Sequence, residues 1–462
     1  MRKVSQAPLV PDTTQKEWSE YPLHLQQLLY NRGFTDLAAV KSFLSPDYDT
    51  GLHDPYLLND MAKAVDRVIT AIEKQERIVV FSDYDSDGIP GAVVMHDFFT
   101  KVGYENFSIK IPHRHYDGFG LSKKAIEQMS EEVTPDLLLT IDCGTGDAEA
   151  IAYANEQGID VIVTDHHEAP DRLPEAVAIV NPKLGNNYPF TGLCGAGVVF
   201  KLVQAILQKK DLSVPEGYEK WWLDMVAIAT IADMVPLTDE NRVLAQYGLL
   251  VLRKSPRPGL QKLLRKQRVT QQHLTEDEIG FVIGPRINAA SRMDTPEDAF
   301  GLLATKDEAE ADSYVTHLEK LNTRRKSEVA KVTKDLHKRV EVTTELPPVL
   351  VYGNPEWRPS LVGLAANKLA EEYNRPVFLW GRDGNEVYKG SCRSEGTTSV
   401  VKLMEAVDKN VLTEFGGHHM SGGFSVSDEA IHTLPESLVK AHNSLGEDCI
   451  VPQEYTVDME LS

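Results

Sequence analysis

"RIVVFSDYDSDGIPGAVVM", residues 77–95, sets three aspartates at alternate positions, Asp83, Asp85 and Asp87, and closes them with Gly88. Alone, D-x-D-x-D-G opens an EF-hand calcium loop. Two features exclude that reading. The loop needs a bidentate glutamate at its twelfth position, and counting from Asp83 that position is Val94. An EF-hand loop also follows a helix. Here Ile78, Val79, Val80 and Phe81 form a short apolar run after a polar break, the pattern of a buried strand. The carboxylates are therefore expected at the carboxyl end of a parallel strand, the edge where open α/β sheets bind ligands.

Working outward, the chain alternates. "FSIKIPH", "PDLLLTIDCG", "DVIVTDHH" and "AVAIVNPK" read as strands, and "GAVVMHDFFTKVG", "SKKAIEQMSEE" and "DAEAIAYANEQG" as the helices among them. This alternation predicts an α/β fold with a doubly wound, mainly parallel sheet. Residues 1–50 read as a helical lead-in and 51–304 as the main α/β domain. Residues 305–342 are highly charged, lack proline and glycine, and read as a long solvated linker helix. "ELPPVLVYGNPEW" starts a smaller α/β domain over 343–462.

The 462 residues suit two or three domains. No apolar run approaches the length of a membrane span. The N-terminus has two early basic residues without an apolar core, so no signal peptide is expected. Four cysteines, Cys143, Cys194, Cys392 and Cys449, lie far apart without a C-x-x-C, which argues against a zinc ribbon or disulfide framework and for the cytoplasm. The net charge of -21 has the wrong sign for a protein that coats nucleic acid nonspecifically, but it leaves room for a nucleic-acid enzyme built around an acidic metal site.

Three predicted strands end in acidic or imidazole groups: Asp83, Asp85 and Asp87; then Asp142; then Asp165, His166 and His167. Asp233 follows the apolar helical stretch "WWLDMVAIATIADM". One aspartate after an apolar run is ordinarily a cap or turn residue. A D-H-H triplet directly after a buried strand is a poor cap and a good metal platform. Carboxylates with one or two imidazoles suit Mn²⁺ or Mg²⁺ better than zinc or copper. Several converging carboxylates also repel one another unless cations stand between them.

In this order "DYDSDG", "IDCG", "TDHH" and "IADMVPL" resemble the motifs of the DHH phosphoesterase superfamily. "RHYDGFGLS", "LCGAGVVFKL" and "IGPRINAASRM" resemble its RecJ branch, and "KGSCRS" and "GGHHMSGGF" the associated DHHA1 substrate-binding domain. The resemblance implies two Mn²⁺ or Mg²⁺ ions held by Asp83, Asp85, Asp87, Asp142, His166 and Asp233, with Asp142 bridging. It implies that His167 orients a ligand or touches the scissile phosphate, and that Arg286 and Asn288 hold substrate phosphates. Ser391, Arg393 and Ser394 would grip a 5′-terminal phosphate, with the glycine loop of Gly416, Gly417 and His418 beside the scissile one. Longer RecJ proteins continue into an OB fold; this sequence ends about where that domain would begin, so it is expected to be absent.

The function so implied is 5′ to 3′ exonucleolytic hydrolysis of single-stranded DNA to 5′-mononucleotides in repair or recombination, by a two-metal mechanism. The expected partners are single-stranded DNA and a single-strand-binding protein or helicase, with no membrane, on a monomeric protein. A phosphodiesterase acting on short RNA or cyclic dinucleotides is the alternative within the fold. A non-catalytic subunit is the alternative outside it, and its signature would be lost ligands. Trp221 and Trp222, at the start of an apolar helix, read as core residues rather than base-stacking platforms, and Trp357 and Tyr388 as better placed to stack on substrate.

Overall fold

Apolar runs buried on both faces can pair side by side only in the middle of a covered sheet. Strand β1 (Lys3–Gln6) lies outside that sheet. Its members are β2 (Ile78–Ser82), β3 (Phe107–Lys110), β4 (Leu137–Ile141), β5 (Asp160–Thr164) and β6 (Ala178–Val180). They run parallel in the order β3-β2-β4-β5-β6. Every residue of β2 and β4 is buried. In this computed structural model, residues 3–132, 134–382, 387–408, 410–450 and 454–460 are described. The chain divides into two compact units, Ala38–Asn322 and Met1–Leu37 with Thr323–Ser462.

The helices Lys123–Glu132 and Ala148–Glu156 cover one face of the parallel sheet, packing Ile126, Met129 and Ile151 against Val79, Leu138 and Val161. The helices Gly88–Lys101 and Gly195–Lys209 meet on the other. A Cβ at Gly91 would stand 2.7 Å from Ile141 and 3.4 Å from the Cα of Ala196, so only glycine lets helix, strand and second helix approach so closely. The register matters most for function. Ser82, Ile141 and Thr164 are paired across three neighbouring strands. The next residues, Asp83, Asp142 and Asp165, therefore leave the sheet in one row, with strands about 4.8 Å apart.

The second unit holds a mixed sheet of β7 (Leu350–Gly353), β8 (Val377–Arg382), β9 (Tyr388–Arg393), β10 (Glu414–Gly417) and β11 (Ser421–Val426), in the order β10-β11-β9-β8-β7. β1 pairs in parallel with β12 (Glu454–Val457), so the chain's first strand belongs here. Trp357 packs in this unit's core with Val362 and Leu379 and lies under the Arg339 guanidinium, which takes it out of contention as a stacking residue. The helix Glu308–Glu341 contains the unit boundary. It is not solvated all round as its charge suggests, because Val315, Leu318, Val332, Leu336 and Val340 are buried. Among the described residues no helix is long and apolar enough to cross a membrane.

The Gly195–Lys209 helix is anchored by a buried charge. Lys201 is fully buried, pairs with Glu240 and donates to the carbonyl of His53 at 2.7 Å. Glu240 also accepts from His53 N–H and the Tyr188 hydroxyl. Removing one member of such a set strands the other charge. Lys201→Met should therefore cost roughly 3–5 kcal/mol, read as a lowered denaturation midpoint, and Lys201→Met combined with Glu240→Gln should recover part of that loss. A double variant no more stable than the single one would show that the ion pair is not what holds this helix.

Candidate metal centre

Strand β2 ends at Ser82, and the next five residues turn sharply into the Gly88–Lys101 helix. The Ser82 hydroxyl donates to the Gly88 carbonyl at 2.6 Å, and a side chain at Gly88 would collide with the Asp83 backbone. Asp85 folds back inside this loop. Its Oδ1 accepts from the Asp87 and Gly88 amides at 2.8 and 3.2 Å. Asp87 points the other way. Its two oxygens accept from the amides of Gly195 and Ala196 at 2.6 and 2.7 Å, at the N-terminus of the Gly195–Lys209 helix. Those orphan N–H groups and the helix dipole favour the carboxylate there. Gly195 is required on steric grounds too, because a Cβ would fall 2.6 Å from the Cβ of Asp142.

Asp142 leaves β4 with a left-handed φ of 59°, a costly conformation for a residue with a side chain, and its amide donates to the Thr164 carbonyl. At the end of β5, Asp165 serves as an orienting group. It accepts from the amides of Thr145, His166 and His167 and from His167 Nδ1 at 2.7 Å. Burial works against its charge, but these hydrogen bonds prevail and hold the carboxyl well below the usual range. The same hydrogen bond raises the pKa of His167. His166 is freed to face the acids. Its Nε2 lies 3.1 Å from Asp142, 3.6 Å from Asp87 and 3.8 Å from Asp233, which caps the Leu223–Ala232 helix.

These side chains form three overlapping sets able to hold a cation: Asp83, Asp85 and Asp142; Asp87, His166 and Asp233; Asp142, His166 and His167. The donor set fits divalent ions. Asp83 Oδ1 and Asp142 Oδ1 are buried without a hydrogen-bond partner among the described residues, although His166 is close to the latter. Burial, then the neighbouring carboxylates, pushes Asp83 and Asp142 well above the ordinary carboxyl range and Asp233 up to about 8. Burial lowers the pKa of His166, which favours the neutral imidazole that ligates. Acids repelling one another around unsatisfied oxygens are what interposed cations relieve. Cys143, beside Asp142, is buried in the core and its thiol is pushed up by burial, so it behaves as a packing residue.

Other expected site residues take different places. Asn288 braces the acidic loop by a reciprocal pair of hydrogen bonds with the Ser86 amide and hydroxyl. Arg286, expected on a phosphate, is buried and committed. Its Nε meets Glu319 at 2.7 Å, and its other nitrogens reach the Val282 carbonyl and Gln267. The structure does not bring it to the carboxylates. The sequence reading missed Glu319 and the two amides that hold Asp87. The "LCGAGV" stretch was a usable signal for the latter, since small residues opening a helix permit close approach.

In the second unit, Ser391 and Arg393 lie on β9, paired with Gly423 and Ser421 of β11. β11 in turn pairs its Gly422 and Gly423 with Gly417 and Gly416. A Cβ at Gly363, early in the Pro359–Tyr373 helix, would stand 3.1 Å from Arg393 Nη2 and 3.3 Å from Ser391 Oγ. Arg393 is paired with no carboxylate among the described residues; its hydrogen bond goes to the Cys392 carbonyl. Ser394 caps the following loop by accepting from Gly396 N–H. The exposed His418 closes the β10–β11 hairpin through its amide, and His419 binds the Gly396 carbonyl.

Residues 77–230 match the model of the DHH family, N-terminal domain, and residues 346–443 that of the DHHA1 domain. The chain is 35% identical to the single-stranded-DNA-specific exonuclease RecJ of Bacillus subtilis over 92% of its own length and 53% of that protein. It is 32% identical to the RecJ of Salmonella typhimurium over 98% of its length and 80% of the relative. The crystal structure of Thermus thermophilus RecJ in complex with Mn²⁺ superposes with a TM-score of 0.83 at 29% identity, covering 98% of this chain and 64% of that one. The chain belongs to the RecJ family of DHH proteins. It spans about half the length of the Bacillus relative.

The raised acids give a signed pH test. Asp233 moves from 3.8 to about 8 in the metal-free fold. A carboxyl raised in this way gives stability that is complete below its unfolded value and is lost as pH rises through the folded one. The metal-free protein should therefore lose stability between about pH 4 and about pH 8. Mn²⁺ should raise the melting temperature more at pH 8 than at pH 5.5, where protons compete for the same oxygens. Asp142→Asn should abolish most of that Mn²⁺ shift. A shift equal at both pH values, or retained in Asp142→Asn, would contradict the cluster as an ion site.

Proposed function

We propose that this protein is a metal-dependent exonuclease that removes 5′-mononucleotides from single-stranded DNA in the 5′ to 3′ direction, using two Mn²⁺ or Mg²⁺ ions. The observation that carries the reading is the overlap of the ligand sets, in which Asp142 is common to two and His166 to two. Asp83, Asp85 and Asp142 would hold one ion and Asp87, His166 and Asp233 the other, with the third set linking them through Asp142 and His166. The RecJ names of the relatives and the Mn²⁺ complex of the Thermus protein support the substrate and the metal. We place the catalytic part at residues 51–304, the linker at 305–342 and the substrate-binding part at 343–462.

When bound, such ions lower the pKa of a water and neutralise charge on the phosphate. The chain's own residues do the rest. Asp165 fixes the His167 ring, and the raised pKa of His167 lets its imidazolium donate to a phosphate oxygen. Asn288 holds the acidic loop in place through Ser86. Arg286 supports its helix through Glu319 and is a positioning residue. Water oxygen bonds to phosphorus and the bond to the 3′-oxygen breaks. The released nucleotide keeps its 5′-phosphate, and the shortened strand gains a new one. Arg393, Ser391 and the N-terminal turns of the Pro359–Tyr373 helix would receive that phosphate. The four cysteines are buried and form no disulfide among the described residues, which suits the reducing cytoplasm. A single-strand-binding protein or helicase would present the strand.

End-labelled oligonucleotides test this. With Mn²⁺, 5′-labelled single-stranded DNA should release labelled mononucleotide from the first turnover, and Asp142→Ala should lower the rate at least 1,000-fold. Cleavage confined to RNA or to oligomers of a few nucleotides would move the assignment to the short-substrate phosphodiesterases. Arg393→Ala should raise KM for 5′-phosphorylated strands by about 10–100-fold and erase their preference over 5′-hydroxyl strands. An unchanged preference would remove Arg393 from the phosphate site.

A further inference from the structure

Trp221 and Trp222 share one short turn but not one fate. The turn Tyr218–Trp222 is a 3₁₀ helix. Trp222 is buried against Phe98, whereas Trp221 is 46% exposed. In a 3₁₀ helix, side chains at i and i+3 eclipse each other, so Tyr218 and Trp221 stand on one face. Both line a cavity of about 630 Å³ with Lys101, Arg257 and Lys306. That volume is in the range of small-molecule sites.

The cavity's chemistry is uneven in an informative way. Its floor is paired but carries one carboxylate in excess: Arg257 meets Asp97 and Asp224 at 2.7 Å each and donates to the Leu303 carbonyl. Its rim is not. Lys101 lies 4.0 Å over the Tyr218 ring, and neither Lys101 nor Lys306 meets a carboxylate among the described residues. With Arg257 against two aspartates, the two rim lysines leave the lining one positive charge in excess, beside two aromatic rings, on a chain of net charge -21.

The place is distinct from the metal centre. The Gly88–Lys101 helix starts beside Asp87 and ends at Lys101, and its 14 residues span about 20 Å. The Leu223–Ala232 helix likewise has Asp224 in its first turn and Asp233 at its far cap. The cavity and the acidic cluster thus occupy opposite ends of the same two helices.

We propose that this cavity binds a nucleoside monophosphate unit, with the base against Trp221 and Tyr218 and the phosphate at Lys101 and Lys306. Aromatic faces accept any base, and lysines take phosphate as point charges. The unit could be a free mononucleotide or one residue of a strand. The proposal stands independently of the nuclease reading, since no metal ligand enters it.

The test is calorimetric titration of the full chain with dTMP in EDTA, in an Arg393→Ala background that silences the other proposed phosphate site. One saturable site is expected. Trp221→Ala should weaken it about tenfold, the scale of one lost base stack, and Trp221→Phe should keep most of the affinity. Lys101→Gln with Lys306→Gln should weaken dTMP but not thymidine. A dTMP site absent while oligothymidylate binding depends on Trp221 would support the cavity with a strand residue as its occupant. Binding of both probes that is indifferent to Trp221→Ala, or no saturable binding of either, would overturn it.

Discussion

Carboxylates crowded into a buried space repel one another, and the parallel sheet of this protein forces that crowding. Ser82, Ile141 and Thr164 are paired in register, so the aspartates that follow them leave the sheet abreast. A slip of one residue in any strand would turn its side chains to the other face and break the row. Two further acids arrive from helix ends, Asp87 at the start of Gly88–Lys101 and Asp233 at the end of Leu223–Ala232. The surrounding packing serves to hold this arrangement. Gly91 brings helix and sheet together, Gly195 admits Asp142, and Lys201 pins the helix whose amides receive Asp87.

Within the cluster the acids divide into those the protein satisfies and those it leaves open. Asp165 is satisfied completely by amides and by His167, and its charge is secure. Asp87 is satisfied by a helix terminus, and burial still raises its pKa. Asp83 and Asp142 each keep an oxygen without a hydrogen-bond partner among the described residues, that of Asp142 facing His166. The left-handed backbone of Asp142 adds conformational strain at the same residue. Strain and unsatisfied charge in one place are costs that a fold sustains where a ligand relieves them.

Much of this was legible in the sequence because it depends on local pattern. Apolar runs gave the strands, and a carboxylate or imidazole directly after each run gave the row of ligands. What was not legible depends on partners distant in the chain. The charges of the Glu308–Glu341 helix read as a solvated surface, yet its apolar residues recur at helical spacing and are buried. The pairing of Lys3–Gln6 with Glu454–Val457 joins segments with no mutual signal. Adjacent tryptophans look alike in a sequence, while a 3₁₀ turn sends one to the core and the other to the surface.

The two arginines expected on phosphates show the same limit most directly. In sequence, Arg286 and Arg393 each sit among small and polar residues in motifs of equal weight. In the structure Arg286 has Glu319 at 2.7 Å and two further acceptors. A substrate phosphate would have to displace the half-buried Glu319 carboxylate from this pair, which costs more than an ordinary hydrogen bond returns. Arg393 is only half-buried, yet burial lowers its pKa and no carboxylate among the described residues offsets its charge. Beside it lie Ser391 and the early turns of a helix. A guanidinium held even partly out of water is costly to leave uncompensated, so an anion there would supply a balance that at Arg286 already exists. Whether an arginine is available to substrate is thus decided by its counter-ion, which no local motif encodes.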